Sequence, residues 1–147
     1  MAEKKLVAPP PLPEGGLWGA AAPAGPFDVE LFHQGASRLE SRGFGIFHSD
    51  DIFLRDGYLA GPDETRARVL TETWADQRSG AVIGARGGYG ALRIIPYLDF
   101  GFFRENPKIF VGFSDLTVLL LALYDKAGLV SFHGPVLTSL AAADDET

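Results

Sequence analysis

Apolar and polar positions along this chain switch between two periods, and the switches mark its elements. Leu17-Trp18-Gly19-Ala20-Ala21-Ala22 is a short apolar run closed by Pro23-Ala24-Gly25-Pro26, the pattern of a buried strand ending in a turn. Asp28 then stands where a carboxylate caps a helix, and Phe32, Ala36 and Leu39 recur at helical spacing on one stripe. Gly43 closes that helix, and Phe44 to Phe47 returns to strand character. Ser49 to Gly61, rich in Asp and Gly, reads as a loop. Gly61-Pro62-Asp63-Glu64 opens a second helix, because proline suits the first helical position and the two acids complement the helix dipole. Its expected inward face is Ala67, Leu70 and Trp74, with Arg66, Arg68 and Glu72 in solvent.

Ala81-Val82-Ile83-Gly84 is a third strand, followed by the glycine-rich turn Ala85 to Gly90 and a helix from about Ala91 to Leu98. A fourth strand runs from Lys108 to Gly112, a strongly apolar helix covers Leu116 to Tyr124, and Leu129 to Phe132 is a fifth strand after Gly128. Strands alternating with helices on short connections predict right-handed crossovers. The expected fold is therefore α/β: a three-layer flavodoxin-like or Rossmann-like domain with a mostly parallel sheet of about five strands. Residues 1–16, with their prolines and Gly15-Gly16, read as a flexible leader, 17–141 as the domain, and 142–147 as an acidic end. Apolar residues run almost without a break from Leu116 to Tyr124, a pattern that calls for cover by a second domain or a partner subunit, a homodimer included.

Composition narrows the function classes. A length of 147 residues suits one domain, and 46% hydrophobic with 22% charged residues is the balance of a soluble globular chain. A net charge of −6 with no basic stripe argues against nucleic-acid binding. The absence of cysteine excludes disulfides, thiolate catalysis and cysteine metal sites. The apolar run from Leu116 is far short of the roughly 20 residues a membrane span needs, and Pro9, Pro10, Pro11 and Pro13 interrupt any signal-peptide core. No membrane association and a cytoplasmic location are expected.

In parallel sheets ligands bind outside the carboxyl ends of the strands, and three turns share that edge here: Pro23 to Pro26, Arg86 to Gly90 and Gly112 to Asp115. Ser114 falls where a strand turns sharply into a helix, with a glycine two residues before it, the placement a serine nucleophile needs. Leu116 stands where a nucleophile elbow has its second glycine, and Ser-Asp ahead of an apolar helix is also an ordinary N-cap. The Arg86 to Gly90 turn lacks a dinucleotide spacing, since Arg93 stands where the third glycine would fall, and it lacks the Lys-Ser/Thr end of a phosphate loop. An oxyanion-stabilising turn fits better, with one of its N–H groups and that of Asp115 facing a point beside Ser114. Arg86 suits a substrate carboxylate or a plain surface role.

His133 follows the fifth strand on the same edge and is a candidate base, at a position where histidine also commonly bonds a neighbouring loop; His33 and His48 read as structural or surface residues. The histidines never cluster at a metal spacing, and Asp50, Asp51 and Asp56 lack an EF-hand arrangement, so neither a metal nor a cofactor is expected.

Ala21-Ala22-Pro23-Ala24-Gly25-Pro26, Asp56-Gly57-Tyr58-Leu59-Ala60-Gly61, Ala85-Arg86-Gly87-Gly88-Tyr89-Gly90, Pro107 to Asp115 and Phe132-His133-Gly134-Pro135 stand in that order. With these segments the chain, from Leu17 to about Leu140, resembles the amino-terminal half of the LD-carboxypeptidase family, serine peptidases that include the microcin-immunity peptidases. The resemblance implies removal of a terminal D-amino acid from an L,D-peptide such as a murein tetrapeptide. It implies Ser114 as nucleophile, the Gly88 region and the Asp115 N–H as oxyanion donors, and Arg86, Gly87 and Tyr89 at the substrate. Family members complete the triad with a Glu and a His from a carboxyl-terminal domain, and His133 does not map onto that histidine. The chain is thus expected to be the nucleophile-bearing half, inactive alone, with a peptide substrate and the carboxyl-terminal domain as partners. A non-catalytic peptide-binding module and a phosphate-binding flavodoxin-like domain are the competing readings.

Overall fold

The computed structural model describes residues 4–144. Five strands form one sheet: β1 (Leu17–Ala21), β2 (Gly45–His48), β3 (Ser79–Gly84), β4 (Ile109–Gly112) and β5 (Phe132–His133). Their order is β2-β1-β3-β4-β5, and every pairing is parallel. The chain first winds from β1 out to β2, then crosses back over β1 to β3. The strand order therefore reverses between β1 and β3, the place where an open α/β sheet leaves a crevice. Register brings Ala21 opposite Gly84, and Gly112 opposite His133, so the carboxyl ends of β1, β3, β4 and β5 lie along one edge.

The side-chain alternation of the strands divides the core. Ala20 and Ile83 pack with Phe32 of α1 (Val29–Ser41) and Leu137 of α6 (Leu137–Leu140). Ala21, Val82 and Phe110 face the opposite way, against Leu70 and Trp74 of α2 (Asp63–Ala75), Ile94 of α3 (Ala91–Ile94), Phe103 of α4 (Phe100–Glu105) and Leu119 of α5 (Thr117–Ala122). Trp74 anchors this second layer. Its ring meets Phe103 edge-on at 4.7 Å, and its indole N–H donates to the Asn106 carbonyl at 2.7 Å, so burial leaves no orphaned donor.

The α1 cap is the expected one, with Asp28 Oδ1 accepting from Leu31 N at 3.0 Å. Several features differ from the sequence reading. The helix after Gly90 stops at Ile94, because Pro96 lies in the one-turn helix that follows. Asp99 then caps α4, a helix not foreseen, through bonds to Gly101 N and Phe102 N. The fifth strand is β5, which starts three residues later than expected; Leu129 instead bridges to Val7, whose N–H donates to Gly128 O at 2.8 Å. Part of the expected leader is thus tied to the domain. The apolar run after Ser114 is largely covered from within, with Leu116, Leu119, Leu120 and Leu123 buried and Leu121 and Tyr124 exposed. Among the described residues no helix is long and apolar enough to cross a membrane.

α1 and α6 cross closely at Gly35, where an added Cβ would collide with the Leu137 carbonyl. Gly35→Ala is expected to destabilise the chain by about 1–3 kcal/mol, the range for overpacking. Urea denaturation checks this, and an unchanged midpoint would contradict so tight a crossing.

Candidate active site

β4 ends at Gly112, and the backbone leaves the sheet through Phe113 in extended conformation. Ser114 follows at φ 59°, the single non-glycine residue with positive φ among the described residues. An L-residue with a Cβ held there costs about 1–2 kcal/mol, so the surroundings must over-determine it. Leu116 does so from inside. It is fully buried, its N–H donates to the Phe113 carbonyl at 3.2 Å, and its side chain fills the space left by Gly84 and Gly112. The leucine at the second elbow position is therefore a core anchor, and the glycines that make room for it sit on the strands. Ser114 itself is exposed and makes no capping bond, so the N-cap reading does not describe it.

The glycine turn after β3 meets this serine. A Cβ at Gly87 would lie 3.0 Å from Ser114 Cβ, 3.3 Å from Oγ and 3.5 Å from the Asp115 nitrogen. A side chain at this position would crowd the serine, which would have to give way, so glycine suits the close approach. Gly88 and Gly90 have φ of 103° and 113°, which carry the turn back toward α3. Arg86, Gly87, Gly88, Phe113, Ser114 and Thr138 line a cavity of about 360 Å³ between the turn and the start of α6. A cavity of about 420 Å³ beside α1 and α6, lined by Arg38, Leu39 and Leu140 among others, contains none of the sequence-predicted residues.

The remaining expected residues divide. Arg86 donates from Nη1 to the Pro26 carbonyl at 2.6 Å, which uses one of the five donors of its exposed guanidinium. Tyr89 is exposed, and its ring meets Tyr58 edge-on at 5.4 Å. The Asp115 carboxylate turns back to accept from Ala91 N at 2.9 Å. His133 is exposed beside Phe113, ring centroids 6.3 Å apart, and no hydrogen bond joins it to Ser114. His33 and His48 lie in an aromatic group with Phe32 and Phe53.

Arg66 overturns its expected place. Its side chain is 1% exposed, and it donates to Gly61 O at 3.0 Å, Pro23 O at 2.6 Å and Gly90 O at 2.9 Å, with Asp63 as its ion-pair partner. Burial pulls the guanidinium below its ordinary pKa, and the Asp63 carboxylate opposes that shift. One cation therefore links the turns after β1, before α2 and before α3. The missed signal was its helical spacing to Val69, Leu70 and Thr73, all of which face inward.

The strain at Ser114 has a thermodynamic signature. Ser114→Gly is expected to be more stable than Ser114→Ala by about 1 kcal/mol, because glycine accepts positive φ. Urea titration of the two variants measures the difference, and an alanine variant at least as stable as the glycine variant would contradict the strained turn.

Comparison with known proteins places this edge in a lineage. The sequence model described as the LD-carboxypeptidase N-terminal domain matches residues 19–134. A Bacillus subtilis protein described as "Probable murein peptide carboxypeptidase" is 39% identical over 93% of this chain and 43% of its own length. The murein tetrapeptide carboxypeptidase of Pseudomonas aeruginosa is 34% identical over 87% of this chain and 42% of its own. The crystal structure of an MccF-like protein from Bacillus anthracis superimposes with a TM-score of 0.89 at 30% identity, covering 93% of this chain and 43% of that one. The chain thus spans less than half the length of the relatives it matches. It belongs to the LD-carboxypeptidase family and corresponds to the amino-terminal domain of that family.

Proposed function

We propose that this chain is the nucleophile-bearing half of a serine carboxypeptidase that hydrolyses the L,D-peptide bond before a terminal D-amino acid, as in murein tetrapeptides. The observation that carries the reading is Ser114, exposed at φ 59° at the carboxyl end of β4, with Gly87 against it. Ser114 Oγ attacks the scissile carbonyl, and the oxyanion that forms is met by the N–H groups of Asp115 and the Gly88 region. Arg86, at the mouth of the same cavity, pairs with the terminal carboxylate of the peptide, and Gly87 and Tyr89 border the bound chain.

A serine hydroxyl attacks slowly until a base takes its proton. In this reading the base and its orienting carboxylate are a His and a Glu of the family's carboxyl-terminal domain, so the chain alone hydrolyses peptide negligibly. The activity belongs to cytoplasmic recycling of peptidoglycan fragments.

The test joins this chain to the carboxyl-terminal portion of the Bacillus subtilis relative and follows release of D-alanine from an L,D-tetrapeptide. The joined polypeptide is expected to hydrolyse it, and Ser114→Ala to lower kcat by roughly 10³-fold or more with the fold retained. Full activity after Ser114→Ala would reject the nucleophile; peptide binding without hydrolysis by a folded joined polypeptide would favour a binding module. Gly87→Ala is expected to lower kcat by about 10²-fold, because a methyl there displaces the serine from its donors. An unchanged kcat in that variant would separate the glycine turn from the chemistry.

A further inference from the structure

The glycine turn is fastened differently at its two ends. At the β3 end, Ala85 N donates to Ala21 O at 2.7 Å, Thr138 donates to Ala85 O through both N and Oγ1, and Gly25 N donates to Gly87 O at 3.0 Å. At the far end two charged side chains hold the polar atoms of a single peptide group, Ala91 N–H and Gly90 C=O, the latter also accepting from Arg93 N at 3.1 Å. Arg66 Nη1 donates to that carbonyl at 2.9 Å, and Asp115 Oδ2 accepts from that N–H at 2.9 Å. A cation on the carbonyl and an anion on the N–H polarise the same peptide in the same sense, which strengthens both bonds.

We propose that Arg66 and the Asp115 carboxylate are positioning residues that clamp the Gly90–Ala91 peptide from its two sides and so hold Gly87 and Gly88 in place against Ser114. Asp115 is the neighbour of the serine in sequence, so its grip on Ala91 couples the serine turn directly to the glycine turn. Arg66 is the neighbour of neither and fixes the same peptide to the turns at Pro23 and Gly61. A buried guanidinium is a costly way to fill space, and an apolar side chain would pack as well. What an apolar side chain lacks is a rigid fork of donors that registers three loops at once. The placement stands on geometry alone, and its effect on catalysis rests on the peptidase reading above.

Amide NMR on the ¹⁵N-labelled chain tests the clamp without requiring activity. Asp115→Ala keeps the backbone N–H at 115 and removes the acceptor; Arg66→Lys keeps the charge and removes the fork. In Asp115→Ala the Ala91 amide is expected to exchange roughly 10- to 100-fold faster, the loss of one charge-assisted bond. The Gly87 and Gly88 signals move in both variants, Val82 and Ile83 in β3 keep their protection, and Asp115→Asn restores part of the Ala91 protection. Unmoved Gly87 and Gly88 signals, or a uniform loss of protection that includes β3, would overturn the proposal. In the joined polypeptide Asp115→Ala is expected to lower kcat by about 10²-fold with KM within about threefold, and Asp115→Asn to recover part of the loss. An unchanged kcat beside displaced glycine signals would overturn the catalytic consequence. Hydrolysis that persists in Ser114→Ala would instead reject Ser114 as the nucleophile and leave the amide result standing.

Discussion

The functional edge of this domain depends on one backbone constraint, the left-handed conformation of Ser114. No L-residue other than glycine takes that conformation without cost, and nothing in the serine side chain compensates for it locally. The compensation comes from its neighbours. On one side Leu116 is sunk between two strand glycines, and on the other the Asp115 carboxylate is bonded across to Ala91. The turn cannot relax without withdrawing Leu116 from the core or releasing that carboxylate. Strain of this kind persists where the surrounding structure over-determines it, and its consequence here is a hydroxyl lifted clear of the sheet.

The sheet topology explains why a glycine turn waits beside that hydroxyl. The order β2-β1-β3-β4-β5 reverses between β1 and β3, so the loop leaving β3 lies between the loops leaving β1 and β4. Gly25 N–H donates to the Gly87 carbonyl on one side, and the absent side chain of Gly87 admits Ser114 on the other. Arg66 then ties the outer end of this arrangement to α2. The domain thus presents an exposed serine with the glycine turn held against it, and in the proposed enzyme the proton-transfer partner comes from elsewhere. Catalytic groups shared between two domains make chemistry conditional on their docking.

Much of this was legible in the sequence because it lies in local pattern. The apolar runs of β1, β3 and β4 and the glycine before Ser114 specify buried strands and a sharp strand-to-helix turn without reference to distant residues. Elements fixed by tertiary contact were not legible in the same way. β5 is two residues long and owes its place to pairing with Val111 and Gly112, whereas Leu129, which reads as strand, is drawn off by Val7. Arg66 carries a charge, which in sequence points to solvent, whereas in the fold three backbone carbonyls and Asp63 satisfy its fork. Tyr89 stands in the glycine turn by sequence, and its contact with Tyr58, more than twenty residues away, is a tertiary one that local pattern does not announce.

The central claim is that Ser114 Oγ is the atom that becomes acylated. The most direct measurement incubates the joined polypeptide with a peptide phosphonate ending in a D-alanine mimic, digests it and locates the added mass by tandem mass spectrometry. The account predicts one adduct, on Ser114. An adduct on another serine such as Ser131 or Ser139, or none at all while the L,D-peptide is still hydrolysed, would contradict it.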